Sequence, residues 1–343
     1  MTTASKLLTP KPLNIGWIGC GRHATWMLLP QIGRAGMRIA AICDRDEAAL
    51  TATAGHYGVT RTYTDWREML EQPGLDAICM AVGPDVHFAA TKAALEKGLP
   101  VFMEKPPAAT HAQALELQRA SERTGVLVFV GFMKRYSTGN RIAQNILRGG
   151  EFGPVLGLTG SYMTAPTYFA GEVDYSGFYL HHCVHYMDLM PWFAGSPIAE
   201  MTVRRNLPAA GKILFHMGFT CENGVIGNVV MGTVQSRGTP MEQVTVMGDH
   251  NRIEVDNVIN VAWHRDPPFK AEDPEATLSG ASDTLTWQPN FTAAANEDHK
   301  GYAALMQDVA KGLAGLPSAA PQISDGVAAM ANLERMIAGI ERA

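Results

Sequence analysis

Two short stretches hold the residues best suited to chemistry. Gly19-Cys20-Gly21-Arg22-His23-Ala24 has a G-x-G-x-x-A spacing. In such a stretch the first glycine permits a tight turn, the second lets backbone approach a pyrophosphate, and the small third residue lets a helix pack closely on a strand. The N–H groups and positive end of the following helix then receive the phosphates. Asp44 lies about twenty residues further on, where an acidic side chain binds a ribose 2′-hydroxyl. A carboxylate there repels the 2′-phosphate of NADP, so NAD is the expected cofactor, with NADP the lesser alternative. Arg45 beside it either stacks on adenine or attracts that phosphate. The second stretch, Tyr179-Leu180-His181-His182-Cys183-Val184-His185-Tyr186-Met187-Asp188, concentrates three histidines. Imidazole changes charge near neutral pH and suits proton transfer.

For the glycines to cradle a phosphate they must join a strand to a helix, and the pattern around them supplies both. Strand-like runs at Leu13–Gly19, Arg38–Asp44, Leu75–Val82, Pro100–Glu104 and Val126–Phe132 alternate with helical patterns at His23–Arg34, Glu47–Tyr57, His87–Lys97 and His111–Thr124. Several runs are apolar without alternation, as strands covered on both faces are. The expectation is a Rossmann-type, doubly wound parallel sheet over residues 1–132, with 1–11 as an N-terminal arm. After about Asn140 strand-like runs follow one another directly, at Val155–Met163, Met201–Arg205, Lys212–Cys221, Val225–Val234, Gln243–Met247 and Arg252–Val255. Glu222-Asn223-Gly224 is a hairpin signal. A second α/β domain over 133–343, with a largely antiparallel sheet and closing helices near Lys300–Leu313 and Asp325–Arg342, is expected. Asp266–Asp283 reads as a long surface loop.

Bulk composition fits this. The 343 residues are 46% hydrophobic and 18% charged, with a formal net charge of -5, and no basic stripe invites nucleic acid. No apolar run reaches the roughly 18 residues a membrane span needs, and Met1 to Pro12 lacks the apolar core of a secretory signal. Five scattered cysteines suggest reduced thiols, so the expected compartment is the cytoplasm.

The chain resembles the Gfo/Idh/MocA family of glucose–fructose oxidoreductase and inositol dehydrogenase. The markers are Gly19–Ala24, Gly83-Pro84-Asp85-Val86-His87, Glu104-Lys105-Pro106, Gly131-Phe132-Met133-Lys134-Arg135-Tyr136 and the segment around His185. The resemblance implies a Rossmann domain followed by an α/β domain with an open, mostly antiparallel sheet. It implies oxidation of a secondary alcohol on a sugar or cyclitol, or the reverse reduction. Lys105 matches the family lysine that hydrogen-bonds the reacting hydroxyl near the nicotinamide, where a cation stabilises developing alkoxide. His185 matches the catalytic histidine and Asp188 the acid three positions later. Cofactor contacts are expected from Arg22, His23, Val82, Gly83, His87, Glu104 and Lys105 besides the fingerprint, and substrate contacts from Met133, Arg135, Thr164, His181, His182 and His185. Members usually pair through the exposed face of the C-terminal sheet, which implies a homodimer or homotetramer. The alternation in Val225–Val234 fits such burial.

One position departs from the family pattern: His181 stands where an aspartate usually precedes the histidine by four residues. On an α-helix His181 and His185 share a face. The second imidazole removes carboxylate support for protonated His185, which is then less basic, or the two share one proton. Three readings stay open. His185 is general base and His181 a catalytic partner that positions substrate; or the pair ligates a metal, although no third ligand is specified and none is expected; or both are structural. With an acceptor missing and Lys105, Lys134 and Arg135 near, an acidic substrate such as an aldonate or uronate is expected alongside neutral sugars and polyols. A redox-neutral oxidoisomerase with retained NAD and a non-catalytic NAD- and sugar-binding sensor are the alternatives.

Overall fold

Strands buried on both faces pair in parallel when helices cross over between them. The computed structural model, which describes residues 12–165, 176–236, 241–266, 274–289 and 298–343, shows this in the first half of the chain. Strands β1 (Leu13–Ile18), β2 (Met37–Cys43), β3 (Thr62–Tyr63), β4 (Ala77–Met80), β5 (Val101–Met103) and β6 (Val128–Val130) form a parallel sheet in the order β3-β2-β1-β4-β5-β6. Direction along the sheet reverses between β1 and β4, the switch point at which such sheets bind ligands. Ile15, Trp17, Ile42, Ile78 and Phe102 are fully buried in it. β3 is not evident from the sequence, because two residues are too few to show a period. The helix expected over His23–Arg34 is interrupted: a π-helical turn, Ala24–Leu28, leads into Leu29–Ile32. Pro30 has no N–H to continue the ladder.

The second sheet has eight strands. β7 (Gly157–Met163), β8 (Ile198–Ala209), β9 (Lys212–Cys221), β10 (Ile226–Gly232), β11 (Met241–Met247), β12 (Arg252–Asp256), β13 (Asn260–His264) and β14 (Leu285–Trp287) lie in the order β14-β13-β12-β11-β7-β10-β9-β8. Pairing is antiparallel except between β7 and β10, which run parallel. Gly224 takes the positive φ of the expected hairpin between β9 and β10. β13 and β14 are additions to the sequence reading, and part of the expected loop Asp266–Asp283 falls outside the described residues. The described remainder is irregular and anchored by Arg265, which donates to the carbonyls of Gly280, Ala281 and Asp283.

Two compact units result, each assembled from separate segments. One comprises the residues up to Glu104 with Arg119–Phe129 and Ala303–Ala320; the other comprises Lys105–Gln118, Val130–Tyr302 and Pro321–Ala343. Among the described residues no helix is long and apolar enough to cross a membrane.

In the second unit the helix Val184–Ala194 carries His185 and is fixed at three points. Gly160 on β7 leaves room for the Tyr186 ring, since a Cβ there would lie 3.0 Å from it, and the Tyr186 hydroxyl donates to the Ser161 carbonyl at 2.9 Å. Asn332, on the last helix Ile323–Arg342, donates to the Met187 carbonyl at 3.3 Å. The third point is ionic: Arg135 donates to both oxygens of buried Asp188, at 2.9 and 2.5 Å, and to Asp325 Oδ1 at 2.9 Å. Asp325 Oδ2 meanwhile accepts from Gln322 N–H and caps the last helix. Burial raises the Asp188 carboxyl to about 6, although Arg135 pulls it down. Burial also opposes the Arg135 charge, but the two carboxylates outweigh it and raise that group's pKa.

Removing one partner of a buried ion pair costs about 3–5 kcal/mol, because the other charge is left uncompensated. Asp188→Ala is therefore expected to lower the unfolding free energy by about 3 kcal/mol, at the low end because Asp325 remains. Asp325→Ala should cost less, since its side chain is 32% exposed against 2% for Asp188. Urea denaturation compares the two; a larger loss from Asp325 would place the anchor on the wrong carboxylate.

Candidate active site

The first unit contains the glycine-rich turn that follows β1. Trp17 is fully buried in β1 and its indole N–H donates to the Gly19 carbonyl at 2.6 Å, while Gly19 N–H donates to the Cys43 carbonyl at 2.9 Å. Held from both sides, Gly19 adopts φ 106°, which side chains disfavour, and a Cβ there would lie 2.3 Å from the Ala81 carbonyl oxygen. Gly21 is open by contrast: a Cβ there would meet nothing within 4 Å. That open space is what close approach of a pyrophosphate to backbone requires. Asp44, just past β2, accepts from Cys20 N–H at 2.5 Å and from Asp46 N–H at 2.9 Å. Each carboxylate oxygen has a second lone pair with which to accept a ribose hydroxyl.

Gly19, Gly21, Asp44, Arg45, Val82 and Gly83 line one cleft of about 820 Å³, within the range of cofactor sites. The residues present thus fit a dinucleotide. His87 stands behind the lining. It is fully buried, and its Nε2 accepts from Val82 N–H at 3.2 Å, so it shapes the cleft wall through that amide. Arg22 lies over the Trp26 ring at 3.9 Å, His23 is 3.7 Å from the Glu104 carboxylate, and Ala24 is buried. The sequence reading did not find Thr64, Trp66 and Arg67, which also line the cleft. They follow β3, so a strand too short to recognise hid them.

In the second unit Lys105, which forms a cis peptide with Pro106, donates from Nζ to the His181 carbonyl at 3.1 Å across 76 positions of sequence. His181 belongs to a π-helical turn, Tyr179–Cys183, that leads into the α-helix with His185. A π-turn takes in an extra residue, so rings four positions apart no longer lie one above the other. The expected common face accordingly does not form: His181 is exposed, whereas His185 is 7% exposed. The ring that packs inward is His182. Its Nδ1 lies 2.7 Å from the Tyr162 hydroxyl, and it stacks on the Tyr162 ring with centroids 5.5 Å apart and planes 24° apart. Burial, followed by the charges of Lys105, His181 and Lys134, lowers the His182 pKa to about 3.

Met133 and Thr164 are buried. Arg135 and Lys134 were expected to face substrate with few acidic partners, and here the structure corrects the expectation. Arg135 pairs with Asp188 and Asp325, and Lys134 with Glu242, so both charges are neutralised. Those partners lie 53, 190 and 108 positions away in the sequence. Tyr162 was also not foreseen. The strand period was the available signal, because Tyr162 precedes Thr164 by two residues and shares its face. Among the described residues no three His, Cys, Asp or Glu side chains cluster so as to hold a metal.

Comparison with known proteins matches residues 13–132 to the Gfo/Idh/MocA model described as an oxidoreductase family with an NAD-binding Rossmann fold, and residues 145–342 to the model for that family's C-terminal α/β domain. An inositol 2-dehydrogenase of Streptomyces avermitilis is 34% identical over 180 residues, 51% of either chain. An inositol 2-dehydrogenase 2 of Saccharopolyspora erythraea is 29% identical over 192 residues, 55% of this chain and 56% of its own. These matches span little more than half the length of those relatives. A dehydrogenase structure from Chromobacterium violaceum superposes with a TM-score of 0.85 at 20% identity, covering 97% of this chain and 96% of its own, and so shares the fold.

The space over Gly21 makes a clean test of the cradle. Gly21→Ala should leave thermal stability unchanged, since its Cβ meets nothing, yet lower dinucleotide affinity at least roughly tenfold by filling the room the phosphates need. Tryptophan fluorescence titration and a cofactor-free melt measure the two effects. Unaltered affinity would put the phosphates elsewhere.

Proposed function

The chain belongs to the Gfo/Idh/MocA oxidoreductase family, and from that premise we propose that it is an NAD-dependent dehydrogenase acting on a secondary alcohol of a cyclitol, polyol or sugar-derived substrate. The observation that carries this reading is the bond from Lys105 Nζ to the His181 carbonyl, which brings the lysine to the turn leading into buried His185. A bound nicotinamide dinucleotide supplies the hydride acceptor. Gly19, Gly21 and Asp44 hold it, and the Asp44 carboxylate selects NAD over NADP.

His185 takes the proton of the reacting hydroxyl, for which an imidazole is suited near neutral pH. Lys105 orients that oxygen and stabilises its negative charge as it develops. An ammonium has three donors, so the bond to His181 sets its direction and is compatible with another to substrate. Two curated relatives carry the name inositol 2-dehydrogenase, which supports a ring polyol. With Lys134 and Arg135 paired to carboxylates, the case for an acidic substrate weakens and a neutral polyol is favoured. Membership of the family supports a homo-oligomer built through the second sheet.

Lys105→Ala and His185→Ala should each lower turnover by about a hundredfold or more with NAD affinity nearly unchanged. Steady-state rates on a panel of inositols, neutral sugars, aldonates and uronates check this; retained activity in either variant removes that residue from the mechanism. NAD should bind at least roughly tenfold more tightly than NADP, by a clash worth more than about 1.4 kcal/mol. Equal affinities in a fluorescence titration would mean that Arg45 outweighs Asp44.

A further inference from the structure

The last helix, Ile323–Arg342, packs on the helix Val184–Ala194 that carries His185. Where the two meet, the last helix presents small side chains, Ala328, Ala329 and Ala331. Protein interiors are ordinarily filled to the density of organic crystals. Here the short side chains leave a cavity of about 480 Å³ beside Trp192, within the range of about 300–1,000 Å³ that small-molecule sites occupy. Every residue of its wall belongs to the second unit. Neither Lys105 nor His181, His182 or His185 is among them, so the reaction proposed above makes no use of it.

The wall combines an aromatic surface with donors and acceptors. Trp192 is half-buried. The Arg135 guanidinium lies 6.0 Å from its ring centroid, at the outer limit of a cation–π contact, whereas Arg22 covers Trp26 at 3.9 Å. Arg135 therefore does not stack on the indole. The face of an indole is negative, and the C–H groups on one side of a saturated ring are complementary to it. Arg135 commits Nε and Nη2 to Asp188 and Asp325. A guanidinium carries N–H groups on every nitrogen, and no described residue accepts from Nη1. Arg335 donates to the Ile198 and Ala199 carbonyls at 2.9 and 2.8 Å, keeps further N–H groups, and has no carboxylate partner among the described residues. On the acceptor side, the oxygens of Asp325 each hold one hydrogen bond and retain a second lone pair. The charges of Arg135 and Arg335 balance those of Asp188 and Asp325, so an ion entering the cavity would lose hydration without meeting a net opposite charge. A hydroxyl group both donates and accepts, and matches such a wall without that loss.

We propose that this cavity is a second binding site, separate from the reaction, for a neutral cyclic polyol of monosaccharide size. The ring of the polyol lies on Trp192, and its hydroxyls accept from Arg135 and Arg335 and donate to Asp325. No bond is made or broken there, and the site is independent of the dehydrogenase reading.

Fluorine NMR of the cofactor-free full chain labelled with 5-fluorotryptophan reads the site without any turnover. The chain has six tryptophans, and Trp192→Phe assigns the Trp192 line by its disappearance. Titration with myo-inositol and with D-glucose should move that line saturably, and D-glucuronate should bind no more tightly than D-glucose. Ala328→Phe puts a ring into the cavity from its exposed rim, and Arg335→Met keeps the length of the side chain but removes its donors. Each should weaken polyol binding at least about tenfold while melting within a few degrees of the native chain. Lys105→Ala should leave the titration unchanged. A Trp192 line that neither polyol moves overturns the site, as does native affinity in both cavity variants. Tighter binding of D-glucuronate overturns the neutral ligand class. Loss of the shift in Lys105→Ala would put the polyol at the reaction site instead and so also contradict a second site.

Discussion

A buried guanidinium needs carboxylates around it, and Arg135 has two. Asp188 comes from the helix that carries His185, and Asp325 from the first turn of the last helix, whose backbone it also caps. Arg135 itself belongs to the turn after Phe132, next to Lys134. One charge therefore ties together the segments from which the histidine helix is positioned. Because the energy of a buried pair depends steeply on geometry, the arrangement tolerates little displacement of that helix. Tyr186 on Gly160 and Asn332 on the Met187 carbonyl reinforce the same placement with packing and a neutral hydrogen bond.

The dinucleotide cradle depends on a different constraint, the absence of side chains. Gly19 must be glycine because its backbone is folded against Ala81, whereas Gly21 leaves open space. Such requirements are local, which is why the glycine-rich turn after β1 was legible from spacing alone. The parallel and antiparallel halves were legible for a related reason, since burial on both faces and direct succession of strands leave marks within a few residues.

What the sequence concealed was set by partners far away in the chain. Nothing near Lys134 and Arg135 announces Glu242, Asp188 and Asp325, so two paired cations looked available for an anionic substrate. The histidines misled through local geometry instead. Spacing of four implies a shared face only on an α-helix, and here a π-helical turn exposes His181, while His182 packs against Tyr162. β3, with two residues, hid the part of the cleft formed by Thr64, Trp66 and Arg67.

These features join into one chemical account: a glycine-rich turn fit for a cofactor in one unit, and in the other a lysine held at the turn that leads into a buried histidine. The central claim is net dehydrogenation, in which a secondary alcohol gives up hydride and the reduced cofactor is released. It is tested most directly with a polyol deuterated at the carbinol carbon, incubated with NAD and followed by NMR. The account predicts that deuterium appears on the nicotinamide of the reduced cofactor, with the ketone as product. Deuterium retained in a rearranged product, with no reduced cofactor released, would contradict it.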